Sequence, residues 1–318
     1  YTEQDLAVPA GRENNKKRKY LIVNPLQGKH VPVSPGRVFQ MFADLADLLQ
    51  KEYEGENLLL IGFAETATAV GAAVAGKMGT LYMQTTREQM EGVEYFYFSE
   101  EHSHATEQKL VKTDLDQAVS RVDRIIFIED EITTGKTIRN IIRLLEQAYP
   151  GSLSYSAAAL LNGMDEECLK VYRESGIRLH WLVKICHDGY ENRVSGYQKT
   201  GVYHTCDLGR PVSEVPEYAV FGYQNARRLT DGAGYQKACE RMAEDVLKNL
   251  SLPSDSRMLV IGTEEFMYPA LWLAYVLEKE GRQVRCHSTT RSPIAVSNDR
   301  NCPLHERYEL RSFYDSSR

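Results

Sequence analysis

The sequence predicts an α/β fold, a mostly parallel sheet with helices on both faces, followed by a smaller α/β unit. Three observations predict it. Short apolar runs of strand length alternate with segments of helical period. Several of these runs end in Gly or acidic residues just before a helix, as strands do at the ligand edge of such sheets. The alternation lapses over residues 186–220 and then resumes.

Residues 19–24, KYLIVN, read as a strand, and the Pro/Gly-rich NPLQGKHVPVSPG leads into a helix over about 37–53. NLLLIG (57–62) is a short buried strand ending in Gly62, and ATAVGAAVAGKM continues as a small-residue helix. TLYMQ (80–84) is a second strand, VEYFYF (93–98) a third and IIFIE (125–129) a fourth, with a helix over 137–149. LSYSAAALL (153–161) and IRLHWLVKI (177–185) complete the set around the charged helix DEECLKVYRES. Residues 186–220 gain Gly, Pro and Tyr and read as a cap or linker. Beyond it come a helix over 236–250, the strand RMLVIG (257–262), a helix over 267–280 and the strand QVRCHS (283–288). The expected division is a first domain over 1–205, a linker over 206–220 and a second domain over 221–318, small enough to lean on the first.

Bulk properties narrow the function. A net charge of −6 over 318 residues disfavours non-specific nucleic-acid binding. The basic cluster Lys16-Lys17-Arg18-Lys19 reads as a solvated segment. No run of 18 apolar residues occurs, so no membrane helix is expected. The first residues lack an apolar signal region, and opening on Tyr1 suggests numbering that starts inside a longer chain. The six cysteines are scattered without a C-x-x-C pair, as expected of reduced thiols in a cytoplasmic protein.

The stretch RIIFIEDEITTGKTI (124–138) carries the chemistry. Its TGKT tail suggests a P-loop, but the first Gly of that motif falls on Asp130, which puts a negative charge where phosphate must approach. The ATPase reading therefore fails. A buried strand here ends in carboxylates, and small hydroxyl residues and a Gly open the next helix. Backbone N–H groups, hydroxyls and the positive helix end make a monophosphate site. Carboxylates beside it suit sugar hydroxyls, so the pair describes a 5-phosphorylated ribose.

Strand-Glu129-Asp130-Glu131-Ile132-Thr133-Thr134-Gly135-Lys136-Thr137 resembles the phosphoribosyl-pyrophosphate (PRPP) motif of type I phosphoribosyltransferases. The resemblance implies that Glu129 and Asp130 bind the ribose hydroxyls. It implies that Thr133, Thr134, Gly135, Lys136 and Thr137 hold the 5-phosphate. It also makes Gly62, Phe63, Ala64, Glu65 and Thr66 the pyrophosphate loop, and residues 85–108 the family's flexible catalytic loop. Arg87, at the start of that loop, is a natural partner for leaving pyrophosphate. Glu65 departs from the pattern. A carboxylate repels pyrophosphate unless it works through Mg²⁺ or meets another ligand, and it is otherwise a helix N-terminal carboxylate favoured by the dipole. His102 and His104 read as a weak metal pair, part of a mobile lid, or a solvated loop.

Residues 58–89 and 258–293 repeat one pattern: apolar strand, Ile-Gly, a Glu three residues on (Glu65, Glu265), helix, strand, Thr-Thr-Arg. The second copy lacks a counterpart of EDEITTGKT. It resembles the TRSP domain, named for Thr290-Arg291-Ser292-Pro293. That domain follows phosphoribosyltransferase domains related to those of bacterial tellurite-resistance and stress gene clusters. NPLQGKHVPVSP, GFAETAT and EEHSHAT resemble the same subfamily.

The resemblance implies a Mg²⁺-dependent enzyme that moves ribose phosphate from PRPP to a nucleobase-like or other nitrogen acceptor and releases pyrophosphate. Glu129, Asp130 and Arg87 are its expected catalytic residues. Mg²⁺ is expected to bind through pyrophosphate and ribose hydroxyls, with no protein ligand assigned, and the protein to be a cytoplasmic homodimer. A non-catalytic PRPP or nucleotide sensor, or an enzyme running the reverse reaction, remain alternatives. Glu264, Glu265, Thr290, Arg291 and Ser292 are expected to converge in a second cleft for an anionic group. The other reading makes Glu265 and Arg291 an ion pair bracing the small domain.

Overall fold

The structure, a computed structural model, describes residues 1–13, 18–98, 108–151, 153–206, 216–250 and 256–312. The chain opens with α1 (Glu3–Leu6), β1 (Val8–Gly11), β2 (Tyr20–Val23), α2 (Pro35–Glu52), β3 (Leu58–Gly62), α3 (Thr68–Met78) and β4 (Leu81–Gln84). It continues with β5 (Tyr95–Phe98), β6 (Gln108–Val111), α4 (Lys112–Ala118), β7 (Arg124–Ile132), α5 (Lys136–Ala148), β8 (Ser154–Asn162), α6 (Glu166–Glu174) and β9 (Arg178–Lys184). Then follow α7 (Tyr190–Ser195), β10 (Val202–His204), β11 (Thr230–Asp231), α8 (Gly232–Asn249), β12 (Arg257–Gly262), α9 (Tyr268–Lys279), β13 (Gln283–Ser288) and β14 (Glu306–Tyr308).

The central sheet has the order β11-β4-β3-β7-β8-β9. Its strands are parallel except β11, which pairs antiparallel with β4. Successive side chains alternate between two cores, as the pleat requires. Leu58, Leu60, Ile126 and Ile128 enter one; Leu59, Ile61, Ile125 and Phe127 enter the other. Gly62 stands opposite both Gln84 and Ile128, so β3, β4 and β7 end level. The three loops singled out in the sequence therefore leave the sheet side by side. Among the described residues, no helix is long and apolar enough to cross a membrane.

Two sequence expectations change. The strand VEYFYF forms as β5 but, among the described residues, pairs antiparallel with the short β6, QKLV, outside the central sheet. The stretch read as irregular cap or linker contains α7 and β10, and β10 pairs with β14 near the C-terminus.

The C-terminal unit is a parallel β12–β13 pair with α9 packed on it. It is not a separate body. Helices α8 and α9 lie against α2 and α3, and one core takes Phe42 and Leu45 from α2, Val70 and Val74 from α3, Tyr235 from α8 and Leu271 from α9. Small residues let α3 fit between the sheet and these helices, and Thr68–Ala75 are all buried. A helix apolar all round must be covered all round. Polar contacts finish the junction: Gly36 N donates to Glu278 Oε2 at 2.7 Å, and Val33 and Cys286 exchange backbone bonds at 3.1 and 2.9 Å. Arg228 grips buried Asp114 with two N–H donors at 2.8 and 2.7 Å, fixing the approach to β11.

Candidate functional site

The acidic end of β7 is held by residues far away in sequence. Asp130 accepts from Lys29 Nζ at 3.1 Å and from the Thr66 hydroxyl at 2.9 Å. Burial pushes its carboxyl up, but the Lys29 ammonium and the Thr66 hydroxyl overcome this and hold it below the ordinary carboxylate range. Asp130 is thus an anion at neutral pH, tied to the loop after β3. Glu131 accepts from Arg18 at 2.9 Å, and that guanidinium lies 4.8 Å from the centre of the Tyr20 ring. Glu129 is half-buried at the same strand end.

Residues 133–135 turn the chain into α5. Gly135 has φ +66°, and its carbonyl accepts from the Tyr172 hydroxyl at 2.8 Å. A Cβ at this position would come within 2.6 Å of the Tyr172 ring and would overlap Met164, both buried. Glycine is therefore required twice, for the left-handed backbone and for the space. The apolar face of α5, with Ile138, Ile141, Ile142 and Leu145 buried, fixes the helix so that its N-terminus opens beside the acids. Gly135 has no side chain to cap that end, and the Thr134 hydroxyl accepts from Lys136 N at 3.4 Å. Helix amides and dipole there suit an anion, with Thr133, Thr134 and Thr137 half-buried around it.

The loop after β3 is tightly organised. Ala64 N donates to Thr85 Oγ1 at 2.7 Å, Gln108 Nε2 donates to Ala64 O at 2.9 Å, and the Ala64–Glu65 peptide is cis. Glu65 is buried. Burial raises its carboxyl above the usual range, against the pull of Arg291 and Arg87. Arg291 Nε lies 3.3 Å and Arg87 Nε 3.9 Å from Glu65 Oε1.

The candidates of the C-terminal unit arrive in this same site. Glu265 accepts from the Thr86 hydroxyl at 2.8 Å, from Arg87 N at 2.8 Å and from Arg227 Nε at 2.7 Å. Arg291 pairs with Glu65, not with Glu265. The expected convergence in a second cleft is thus replaced by two crossings into the first unit. Thr290 and Ser292 are half-buried beside Arg291, and Glu264 accepts from the Ser312 hydroxyl. His102 and His104 lie outside the described residues.

Lys29 and Arg227 were not singled out from the sequence, and Arg18, read there as part of a solvated basic segment, instead donates to Glu131 at the end of β7. Lys29 lies 101 positions from Asp130, and no spacing rule spans that distance. The one available signal was its place in a Gly/Pro-rich loop following a strand, a location that often carries binding residues.

A family model described as phosphoribosyl transferase matches residues 6–187. A second, described as TRSP domain C terminus to PRTase_2, matches residues 220–318. Solved structures similar to the chain include the adenine phosphoribosyltransferase of Rhodothermus marinus, at 15% identity and TM-score 0.41, covering 57% of this chain and 96% of that one. The enzyme of Thermoanaerobacter pseudethanolicus is 17% identical with TM-score 0.39, covering 57% and 97%. That of Trypanosoma brucei, in complex with AMP, pyrophosphate and ribose-5-phosphate, is 12% identical with TM-score 0.40, covering 68% and 85%. No curated protein matches the chain.

Proposed function

This chain belongs to the phosphoribosyl transferase family and is an enzyme of that pentosyltransferase class, and we propose that it uses PRPP as donor. One observation carries the proposal: the acid-ended strand, the glycine-turned helix start and the loop after β3 meet at one sheet edge, where Thr66 bonds to Asp130. In this reading residues 133–137 hold the 5-phosphate, and Glu129 and Asp130 hold the ribose. Gly62, Phe63, Ala64, Glu65 and Thr66 meet the pyrophosphate with Arg87. Residues 1–205, 206–220 and 221–318 are the proposed divisions. A homodimer is proposed on family resemblance and a cytoplasmic setting on the scattered cysteines.

The C1–pyrophosphate bond breaks as a nitrogen of the acceptor bonds to C1. Positive charge grows on the ribose ring while negative charge grows on the leaving group, the charge logic of glycoside cleavage. Asp130, kept ionised beside the ring, stabilises the first. Arg87 stabilises the second. The acceptor is a nucleobase-like or other nitrogen compound.

Mg²⁺ is the proposed cofactor. Carboxylate and phosphate oxygens are the hard donors it prefers. Among the described residues no group of three or more His, Cys, Asp or Glu side chains gathers to hold a metal. The ion would therefore sit mainly on donor oxygens, near Glu129 and Asp130, and when bound offsets charge on the pyrophosphate.

Calorimetric titration with PRPP, paired with a pyrophosphate-release assay across a panel of bases, tests the proposal. Binding with release is the expected result. Binding without release across a broad panel would favour the sensor instead, and consumption of pyrophosphate with formation of PRPP and a free base on adding a nucleotide would favour the reverse reaction. EDTA should abolish PRPP affinity and Mg²⁺ should restore it; tight metal-free binding would remove the ion from the mechanism.

A further inference from the structure

The two units carry the same turn. In the first, Thr85 N donates to Gly62 O at 3.0 Å and Ala64 N to Thr85 Oγ1 at 2.7 Å. In the second, Thr289 N donates to Gly262 O at 2.8 Å and Glu264 N to Thr289 Oγ1 at 3.0 Å. The strand registers agree, with Gly62 opposite Gln84 and Gly262 opposite Ser288, each just before Thr-Thr-Arg. Glu65 thus corresponds to Glu265, and Arg87 to Arg291. The turns meet and exchange partners: Glu265 crosses to Thr86 and Arg87, while Arg291 crosses to Glu65.

We infer that the pyrophosphate half of the donor site is composite, with Arg291 of the C-terminal unit contacting pyrophosphate directly and Glu265 positioning Arg87. The inference rests on the donor reading above.

Location supports it first. Glu65, which Arg291 touches, is followed by Thr66, which touches Asp130. The Arg291 guanidinium is therefore one residue of backbone away from the contact to the proposed ribose acid.

Charge supports it next. A buried Glu65 alone would repel pyrophosphate, and Arg87 covers it only at 3.9 Å. Arg291, the closer of the two at 3.3 Å, offsets that charge.

Shape and freedom complete the case. The ion pair with Glu65 runs through Nε, and a guanidinium carries five donors in a planar fork. Arg291 can keep Glu65 and still offer donors to phosphate oxygens. Its side chain is 44% exposed against 6% for Glu65, so it can turn toward a ligand while Glu65 stays fixed. Glu265, buried as deeply, is held by three donors and has no such freedom. Its two bonds to Thr86 and Arg87 N fix the strand end from which the Arg87 side chain leaves.

The test titrates pyrophosphate and ribose 5-phosphate separately, each with Mg²⁺, into the full chain and its variants, with thermal melts alongside. Arg291→Gln should weaken pyrophosphate by about 10- to 100-fold, the scale of one lost charged hydrogen bond. Ribose 5-phosphate affinity should stay within about 2-fold, because the 133–137 loop is untouched. Unchanged pyrophosphate affinity would overturn the inference. Should Arg291→Gln fail to fold, Arg291→Lys keeps the ion pair but not the fork, and wild-type pyrophosphate affinity in that variant would overturn it equally. The double variant Glu65→Gln/Arg291→Gln separates contact from mere neutralisation. Persistent weakness supports direct contact, and recovery to wild-type affinity refutes it. A wild-type chain that binds neither PRPP nor pyrophosphate defeats the donor reading itself, an outcome distinct from all of these.

Discussion

Asp130→Asn lowers the rate of pyrophosphate release by about 10² or more, the scale of one lost transition-state electrostatic contact, while PRPP still binds. Asparagine keeps the shape and can still accept from Thr66, so the loop after β3 stays in place. What disappears is the negative charge beside the ring carbon where positive charge develops. The Lys29 ammonium, now unneutralised, adds a charge of the wrong sign at 3.1 Å from the former carboxylate oxygen. Single-turnover release measured with calorimetry on the same samples separates the two effects. A variant as fast as the parent would remove Asp130 from the chemistry. The wild-type pH profile has a defined sign. Because the Asp130 carboxyl is held below its ordinary range, its contribution persists from neutral pH downward and is lost only when acid protonates it below that range.

Gly135→Ala should cost more, and in binding rather than rate. The left-handed backbone of residue 135 penalises any Cβ by about 1–2 kcal/mol. The methyl would also press on Tyr172 and Met164, which are 1% exposed each and packed in a core. The turn must open, and opening it moves the amides at the start of α5. PRPP and ribose 5-phosphate affinities should both fall by more than about 10², since the anion site depends on those amides. Circular dichroism should show α5 and the rest of the fold retained. Ribose 5-phosphate binding at wild-type strength would mean that the 133–137 loop does not hold the phosphate.

Much of this site was legible in the sequence because its parts are local. The acids, the threonines and Gly135 follow one another along one strand and turn, and strand-turn-helix geometry converts that order into a cradle. The repeat was legible for the same reason, since both copies carry a Glu three residues after the Gly and Thr-Thr-Arg after the next strand. The relations between such segments were not. Nothing in VEYFYF distinguishes a sheet strand from a hairpin strand, because period-2 patterning names a face and not a partner. Lys29 and Asp130 meet only through the fold. The direction in which Glu265 and Arg291 point depends on how the second unit docks. One neglected clue did bear on docking: ATAVGAAVAGKM has no polar face. A helix so composed needs apolar cover on its far side as well as on the sheet side, and α8 and α9 supply it.

That cover ties the stability of the first unit to the packing of the C-terminal unit. Removing it would bare the outer side of α3 and strip Tyr235, Tyr268, Leu271 and their neighbours from the core that holds β3 in place, so unfolding should proceed as one cooperative event rather than as two. Genetic robustness follows the same line. A destabilising change in α8 or α9 can silence the transferase without lying near any ligand, by lowering the population of chains in which Thr66 and Asp130 ever meet.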